Sequence, residues 1–571
     1  MSYTDRINRK LNARFGGRVR ARAQDRVLYL EGELEDWDDI VSAGLLAANR
    51  KRFDGLVNDI RFTGGEIPPM RLPAIRDLAL DGQSPDVLII GGGIIGCAIA
   101  RECARYDLSI LLVEKEHDIA MQTTSRNDGM VHPGIDLIPG QIKRSYNMRG
   151  NRMYDDICSE LDVSFRRSGQ YICFRGKALA FAAYFSQLYY KLVGLKAIYL
   201  NRKAFFQREP NMNPMITAAL FFPDAGVVSP YGLAIAYAEN ASDNGVTFSM
   251  DTAVLDMQVV DHKIVSVSTN RGTLYPKVVI NAAGVFSDTV AQMAQDRFFS
   301  IHPRKGTNTI LDEKASRRMH TIVSSFGTSS TKKRHTKGGG LVKTIDHNTL
   351  VGPDAVETYL REDFTTSAEN IADVFEKQRA TDPDLNVRDA ITYFSGIRAA
   401  TYEEDFIIRP GKWTKNIVHA AGIQSPGITA APAIAVDVSK MAAQILASSQ
   451  QVETNLHFNP IRKGIVRANE LSDAARDALI RENPDYGEIV CRCEQISRGE
   501  VVAALHRSIP CDTVDGVKRR VRPGMGRCQG GFCGPLVLQI IAEESGKRLE
   551  EIEKNAPGGE LLFGTIKEVA R

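Results

Sequence analysis

Hydrophobic and polar positions divide the chain into four stretches. In the first, about residues 1–65, the pattern predicts helix, strand, strand, helix, strand. Val27, Tyr29 and Glu31 alternate with Leu28, Leu30 and Gly32 as in a strand, Asp36 is placed to cap a helix running through Ala43 and Ala47, and Leu56 to Phe62 forms a last strand. Pro68, Pro69 and Pro73 make residues 66–85 a linker. From Asp86 to about residue 450, strand-like and helix-like segments alternate, the signature of an α/β protein. Residues 451–486 are charged and predict a helical connector, and residues 487–571 hold a cysteine group followed by an apolar helix around Val537 to Ile541.

Composition narrows the classes. The chain has 571 residues, with 43% hydrophobic and 25% charged, which is ample for several cores. A net charge of +3 is too mild for a nucleic-acid binder. No apolar run approaches the ~18 residues that span a bilayer, and the richest, Val87 to Ala100, is broken by four glycines. Met1 to Lys10 is polar and basic, so no secretory signal is expected. Four of the nine cysteines bunch near the end, which predicts a cytoplasmic protein with a metal or redox site rather than a disulfide scaffold.

The strongest chemical signal is Gly91-Gly92-Gly93-Ile94-Ile95-Gly96, set between the buried-strand pattern Asp86 to Ile90 and a helix, Cys97 to Arg105. Gly91, Gly93 and Gly96 supply the tight turn, the close approach of a pyrophosphate and the close packing of helix on strand. The phosphates of a dinucleotide then meet a helix N-terminus. A second strand, Ser109 to Val113, ends at Glu114, where a carboxylate accepts from the adenosine ribose. The glycine pattern alone leaves nicotinamide and flavin open.

Later segments resemble one family. Val278 to Gly284, Gly396-Ile397-Arg398 with Asp405 to Ile408, and Ala421 to Thr429 resemble, in order and spacing, the flavoproteins of the D-amino-acid oxidase and glycerol-3-phosphate dehydrogenase superfamily. The resemblance covers about residues 86–450. It implies a Rossmann-like FAD-binding domain interleaved with a mixed-sheet substrate domain. It also implies FAD contacts at Gly91, Gly93, Gly96, Glu114, Ser125, Asn127, Val254, Ala283, Gly284, Gly422, Ser425, Gly427, Ile428 and Thr429. Pro426 suits the first turn of a helix whose N-terminus faces the flavin. In Thr123 to Gly134 the resemblance places His132 near the reacting centre, as a catalytic or substrate-orienting group. Where glycerol-3-phosphate enzymes often continue with Arg-Tyr, this chain has Ile135-Asp136, so a phosphate-binding arginine is missing there. Arg398 is the best substrate-binding candidate, since a guanidinium grips a carboxylate or phosphate bidentately; the alternative is an ion pair with Glu403 or Glu404. The basic run Lys332, Lys333, Arg334, His335 and Lys337 reads as a solvated loop or as an anionic-substrate funnel.

Cys491-Arg492-Cys493 and Cys528 to Cys533 give C-x-C and C-x4-C. Four thiolates suit a [2Fe–2S] cluster or zinc, and a C-x-C pair in a flavoprotein favours iron–sulfur. The neighbouring Asp515 to Arg527 resembles the bacterioferritin-associated-ferredoxin-like domain. There the glycines free N–H groups for cluster sulfurs, and Lys518, Arg519, Arg520, Arg522 and Arg527 are expected to offset cluster charge and to present a basic surface to an acidic partner. Cys97, Cys103, Cys158, Cys173 and Cys511 read as core residues. Residues 1–65 resemble a BON domain, a small α+β module associated with membrane-surface and protein contacts.

Together these resemblances imply an FAD-dependent dehydrogenase of a small anionic alcohol, best matched by glycerol 3-phosphate, that passes electrons through a cluster to a partner redox protein or acceptor. Oligomerisation or complex formation and peripheral contact with the cytoplasmic face of the membrane go with that reading. An L-2-hydroxyglutarate-like or amine-oxidising enzyme is the alternative within the class. An electron-transfer protein without substrate is the alternative outside it.

Overall fold

The structure is a computed structural model that describes residues 2–326 and 339–564. The basic run at 332–337 lies outside the described residues.

The N-terminal stretch forms the expected order: helix Tyr3–Phe15, strands Val19–Gln24 and Val27–Leu34, helix Trp37–Ala47 and strand Gly55–Phe62. Ser2 and Asp5 cap the first helix reciprocally, and Asp36 caps the second through Asp38 N–H. The three strands pair in chain order, antiparallel and then parallel. One face of the sheet packs on the two helices; the other, through Val27 and Val57, packs on Phe298 and Phe299 of the following domain. Asn58 reinforces the junction by donating to Tyr402 Oη at 2.9 Å.

The dinucleotide-fold sheet has the order Thr247–Ser249, Ile110–Val113, Val87–Ile90, Val278–Asn281, Ile417–Ala421 and Ile407–Pro410; the last strand is antiparallel to its neighbour and the others are parallel. Its strands Val87–Ile90 and Ile110–Val113 are apolar throughout because both faces are covered. Val87 and Ile89 face helices Ile94–Cys103, Pro230–Asp243 and Gly427–Ala447, while Leu88 and Ile90 face the meander Val254–Val260, Lys263–Thr269 and Gly272–Leu274. Among the described residues, Gly427–Ala447 is the one helix long and apolar enough to cross a membrane, and here most of it is buried in this core.

The second layer is a nine-stranded mixed sheet. Its central feature for function is a long antiparallel pair, Ile301–Leu311 with Ala390–Thr401, whose register puts Arg304 opposite Arg398 and Gly306 opposite Gly396.

Residues 451–467 are not the expected helix. They run as an irregular strap across the helical layer, where Asn455 N–H donates to Arg105 O and Arg462 Nε donates to Glu239 at 2.6 Å. The α-helix of this connector is confined to Asp473–Glu482. Gly464, Asn459 and neighbouring residues spend their polar groups on the loops beneath, which keeps the segment from coiling. The C-terminal unit then packs strand Ile489–Cys491 and helices Arg498–Leu505, Val514–Val521 and Gly534–Ser545 around their own small core.

Arg519, Arg520 and Arg522 do not form the expected exposed basic surface. Arg519 and Arg520 converge on buried Asp118, at 2.8 and 2.9 Å, and Arg522 pairs with Asp346 at 2.7 Å and Glu494 at 3.0 Å. His117 joins the same junction between Asp251 at 2.7 Å and Asp512 at 2.9 Å. Arg519, Arg520 and Arg522 therefore dock the C-terminal unit on its own chain, against Asp118 of the dinucleotide fold and Asp346 of the nine-stranded sheet, while Arg527 remains exposed.

Candidate cofactor and substrate site

A cavity of about 910 Å³ runs between the two layers, lined at one end by the glycine loop and at the other by the long strand pair. The loop is built as the glycines demand. Gly91 has φ +112°, and a Cβ on it would lie 2.5 Å from Ala282 O. A Cβ on Gly96 would lie 1.9 Å from Gly91 O, so Gly96 serves the packing of helix on strand and does not line the cavity. Gly91, Gly93 and Glu114 do line it.

Glu114 accepts from Gly92 N–H at 2.6 Å and from Glu116 N–H at 2.8 Å. Burial pushes its carboxyl up, and these two N–H bonds oppose that. Each oxygen keeps a second acceptor direction, which is what ribose hydroxyls require. The helix Ile94–Cys103 starts at Gly93 without a side-chain cap, leaving first-turn N–H groups for an anion, apart from Ile94 N–H, which donates to Thr124 Oγ1.

Of the other expected contacts, Asn127, Val254, Ala283, Gly284, Ser425, Gly427 and Ile428 line the cavity. Ser125, Gly422 and Thr429 do not. Ser125 Oγ donates to Ala120 O, and Gly422, at φ +65°, packs on Thr401. Thr429 Oγ1 accepts from His132 N–H at 2.8 Å. All three hold the walls rather than form them. The residue before Gly427 is the N-cap Pro426, and that helix, like the first, has no side-chain cap.

At the far end, Arg398 and His132 both line the cavity. Like charges opposed across a strand pair are unfavourable, and the structure resolves the conflict unequally. Arg304 is neutralised by Glu357 and Glu404, each at 2.6 Å. Arg398 has no carboxylate in ion-pair distance among the described residues, so the pairing with Glu403 or Glu404 does not occur. Its Nη2 donates to Asp354 O at 3.1 Å, while its buried Nη1 has no hydrogen-bond partner among the described residues. Burial and the neighbouring Arg304 push its pKa down. Gly306 makes room for the group: a Cβ there would lie 2.4 Å from Nη2. A buried guanidinium edge with an unmet donor is suited to an anionic ligand.

His132 Nδ1 accepts from Gly134 N–H at 2.9 Å. A neutral ring in that arrangement carries its proton on Nε2. Sequence reasoning missed Arg304, which has no local signal and reaches the site only through strand register. It also passed over Asp128, a cavity-lining carboxyl raised by burial, although it adjoins Asn127.

In the C-terminal unit the four cysteine thiols approach as two pairs, Cys493 with Cys528 at 3.6 Å and Cys491 with Cys533. Among the described residues no three His, Cys, Asp or Glu side chains gather closely enough to hold one ion. Two pairs suit two irons, each taking two thiolates, better than one tetrahedral zinc. The Cys533 thiol bonds to Cys491, and with the N–H groups of Gly524, Glu494 and Cys493 it draws the Cys491 thiol down. Phe532 and Gly530 N–H groups act likewise on Cys528. Cys533 is the N-cap residue of helix Gly534–Ser545, without a side-chain cap bond, and its own thiol is pushed up by its bond to Cys491 and by burial. The other five cysteines ligate nothing of this kind. Cys97, Cys103, Cys158 and Cys173 are buried, as expected, while Cys511 is half-buried.

A dinucleotide loop beside a buried, anion-seeking pocket, with a four-thiolate unit docked on the same domain, defines a flavin- and cluster-carrying redox protein. Residues 86–441 match the model of the FAD dependent oxidoreductase family and residues 489–543 that of the BFD-like [2Fe-2S] binding domain. The chain belongs to the FAD dependent oxidoreductase family, and its cofactors are FAD and a [2Fe–2S] cluster.

Among similar proteins, glycerol 3-phosphate dehydrogenase of Caloramator mitchellensis is 37% identical, over 84% of this chain and 99% of that protein. One subunit of the anaerobic glycerol-3-phosphate dehydrogenase of Escherichia coli (strain K12) is 26% identical, over 79% of this chain and 87% of its own length. The structure of dithionite-reduced L-alpha-glycerophosphate oxidase from Mycoplasma pneumoniae with FAD bound superposes with a TM-score of 0.59 at 26% identity, covering 66% of this chain and 98% of that one.

Proposed function

We propose that this protein oxidises glycerol 3-phosphate to dihydroxyacetone phosphate and passes the electrons through its cluster to a partner redox protein. The observation that carries the reading is Arg398, a buried cation with an unmet donor at the cavity end where substrate meets flavin. The names of the similar proteins support the substrate. Bound FAD supplies a two-electron acceptor for the carbinol hydrogen, and the cluster a one-electron carrier.

The chain's own residues bind, orient and exclude. Gly91, Gly93 and the helix start behind them hold the pyrophosphate, Glu114 the ribose, and the uncapped helix at Gly427 the flavin ring. Arg398 takes the phosphate in place of the arginine missing at Ile135-Asp136, while Glu357 and Glu404 keep Arg304 from competing. His132, with Nε2 protonated, donates to the substrate oxygen and orients the carbinol. To accept the hydroxyl proton at Nε2 it must first carry its proton on Nδ1 and give up the Gly134 bond. Tyr231 Oη, donating to Met525 Sδ at 3.3 Å, joins the flavin domain to the loop that carries Cys528, which supports transfer from flavin to cluster within the chain.

The five-part division at about residues 65, 85, 450 and 486 is part of this reading. So is a BON-like N-terminal module, supported by its element order and by its packing on the flavin domain. A cytoplasmic location follows from the unpaired cysteines.

The test is Arg398→Lys. A point charge replacing the planar fork should lower kcat/KM for glycerol 3-phosphate by about 2–5 kcal/mol equivalents, as for a truncated buried charge contact. FAD content should stay at the wild-type level. Unchanged kinetics would remove the assignment.

A further inference from the structure

Helix Lys177–Leu192 is apolar on two opposite sides. Its inner stripe, Leu179, Ala182, Ala183, Ser186 and Tyr190, forms part of the wall of the flavin and substrate cavity. Its outer stripe faces solvent: Phe181 is 68% exposed, Phe185 50%, Leu188 58% and Leu192 87%. Amphipathic surface helices keep one face polar; a helix apolar all round is ordinarily covered. The aromatic rings form one patch, with Phe181 and Phe185 4.8 Å apart and Tyr184 5.3 Å from Tyr199 on the next strand. Ile138 and Ile142, also exposed, lie on a segment tied to the end of this helix by Arg144, which donates to Leu137 O and Val193 O.

Charge identifies the occupant. From Val163 to Arg208 the chain carries nine Arg and Lys residues and no Asp or Glu, although the whole sequence is nearly balanced, 72 basic to 69 acidic. Lys177 and Lys191 bracket the helix, and Arg175, Lys196 and Lys203 flank it on the surface, Lys196 reaching Asp224 of a later loop at 3.7 Å. A patch of Phe, Tyr and Leu in a segment whose charges are all cationic matches a bilayer interface. There the rings enter the acyl boundary and the cations meet anionic headgroups. A protein partner would need both a large apolar face and a uniformly acidic rim.

We propose that helix Lys177–Leu192 docks this protein on the surface of an anionic lipid bilayer, with the Phe181, Phe185, Leu188 and Leu192 side inserted. Docking by this helix sets the cavity wall, rather than the N-terminal module, against the membrane.

Flotation of the FAD-loaded full-length protein with vesicles tests this. One set is phosphatidylcholine alone; the other is an equal mixture of phosphatidylcholine and phosphatidylglycerol. The protein is expected to float with the mixed vesicles and much less with phosphatidylcholine, and added salt should weaken the binding. Phe181→Ser/Phe185→Ser/Leu188→Ser should lower the bound fraction about tenfold or more, with flavin content and melting temperature retained. Lys177→Glu/Lys191→Glu, which leaves the apolar stripe untouched, should reduce binding to mixed vesicles selectively and serves if the triple variant fails to fold. The proposal is overturned if the wild type does not float with mixed vesicles. It is equally overturned if either variant binds like the wild type, or if light scattering shows a wild-type dimer that the triple variant abolishes, since a second copy would then be the cover.

Discussion

Asp118 is one side chain on which two arginines of the cluster unit, Arg519 and Arg520, both depend. It sits four residues after Glu114, in a loop that also bonds the glycine turn through Ala120 N–H and Gly92 O. Its carboxylate accepts from Arg519 at 2.8 Å and from two nitrogens of Arg520 at 2.9 and 3.0 Å. Burial raises its pKa, but Arg520 and Arg519 outweigh that and hold it at about 2. Asp118→Ala leaves two guanidinium groups facing each other, Arg520 only 1% exposed. Breaking a buried pair from one side costs about 3–5 kcal/mol, which is a change of about two to three and a half decades in the opening equilibrium of the junction. Hydrogen exchange reads that equilibrium directly: amides of helix Val514–Val521 should lose protection by that factor, while those of Val87–Ile90 should not. Asp118→Asn, which keeps an acceptor, should lose less. In single turnover, substrate should still bleach the flavin, but the EPR signal of the reduced cluster should rise more slowly. Because the folded pKa is depressed, the contribution is present above the ordinary carboxylate value and is lost only as pH falls toward about 2. Protection and cluster reduction both at wild-type level in Asp118→Ala would refute the reasoning.

Three further outcomes are expected. His117 is raised to about 10 by its bonds to Asp251 and Asp512, so its stabilisation is complete below pH 6.5 and is lost as pH rises through about 10; exchange at the junction should quicken over that window, and His117→Gln should flatten the profile. Gly306→Ala should displace the Arg398 guanidinium and raise KM for glycerol 3-phosphate with little change in melting temperature, because the side chain that must move is flexible; an unchanged KM would contradict the placement of Arg398. Cys528→Ser should remove the cluster's visible absorption and EPR signal and leave FAD bound; steady turnover with the native acceptor should fall steeply, and persistence of that turnover would make the cluster structural.

Local sequence determined the parts whose chemistry is local. Gly91 to Gly96 dictates a strand–turn–helix because its glycines admit contacts no Cβ tolerates, and the C-x-C and C-x4-C motifs mark the four thiols, although each close pair, Cys493 with Cys528 and Cys491 with Cys533, is made across the two motifs by folding. Element order in residues 1–65 followed from alternation and caps. Tertiary structure decided everything that depends on register and docking. Among the described residues Arg398 has no ion-pair partner, since strand pairing sets Arg304 opposite it and Glu357 and Glu404 pair with Arg304. Arg519, Arg520 and Arg522 read as a solvent-facing basic run, yet they are interior, since their partners Asp118 and Asp346 lie far earlier in the chain. The strap at 451–467 is irregular because many of its polar groups bond to the elements beneath it, as Asn455 N–H does to Arg105 O and Arg462 to Glu239. Charge along a chain states how many ions there are; which of them meet is settled by packing, because a buried ion is tolerated only where the fold supplies its counterpart.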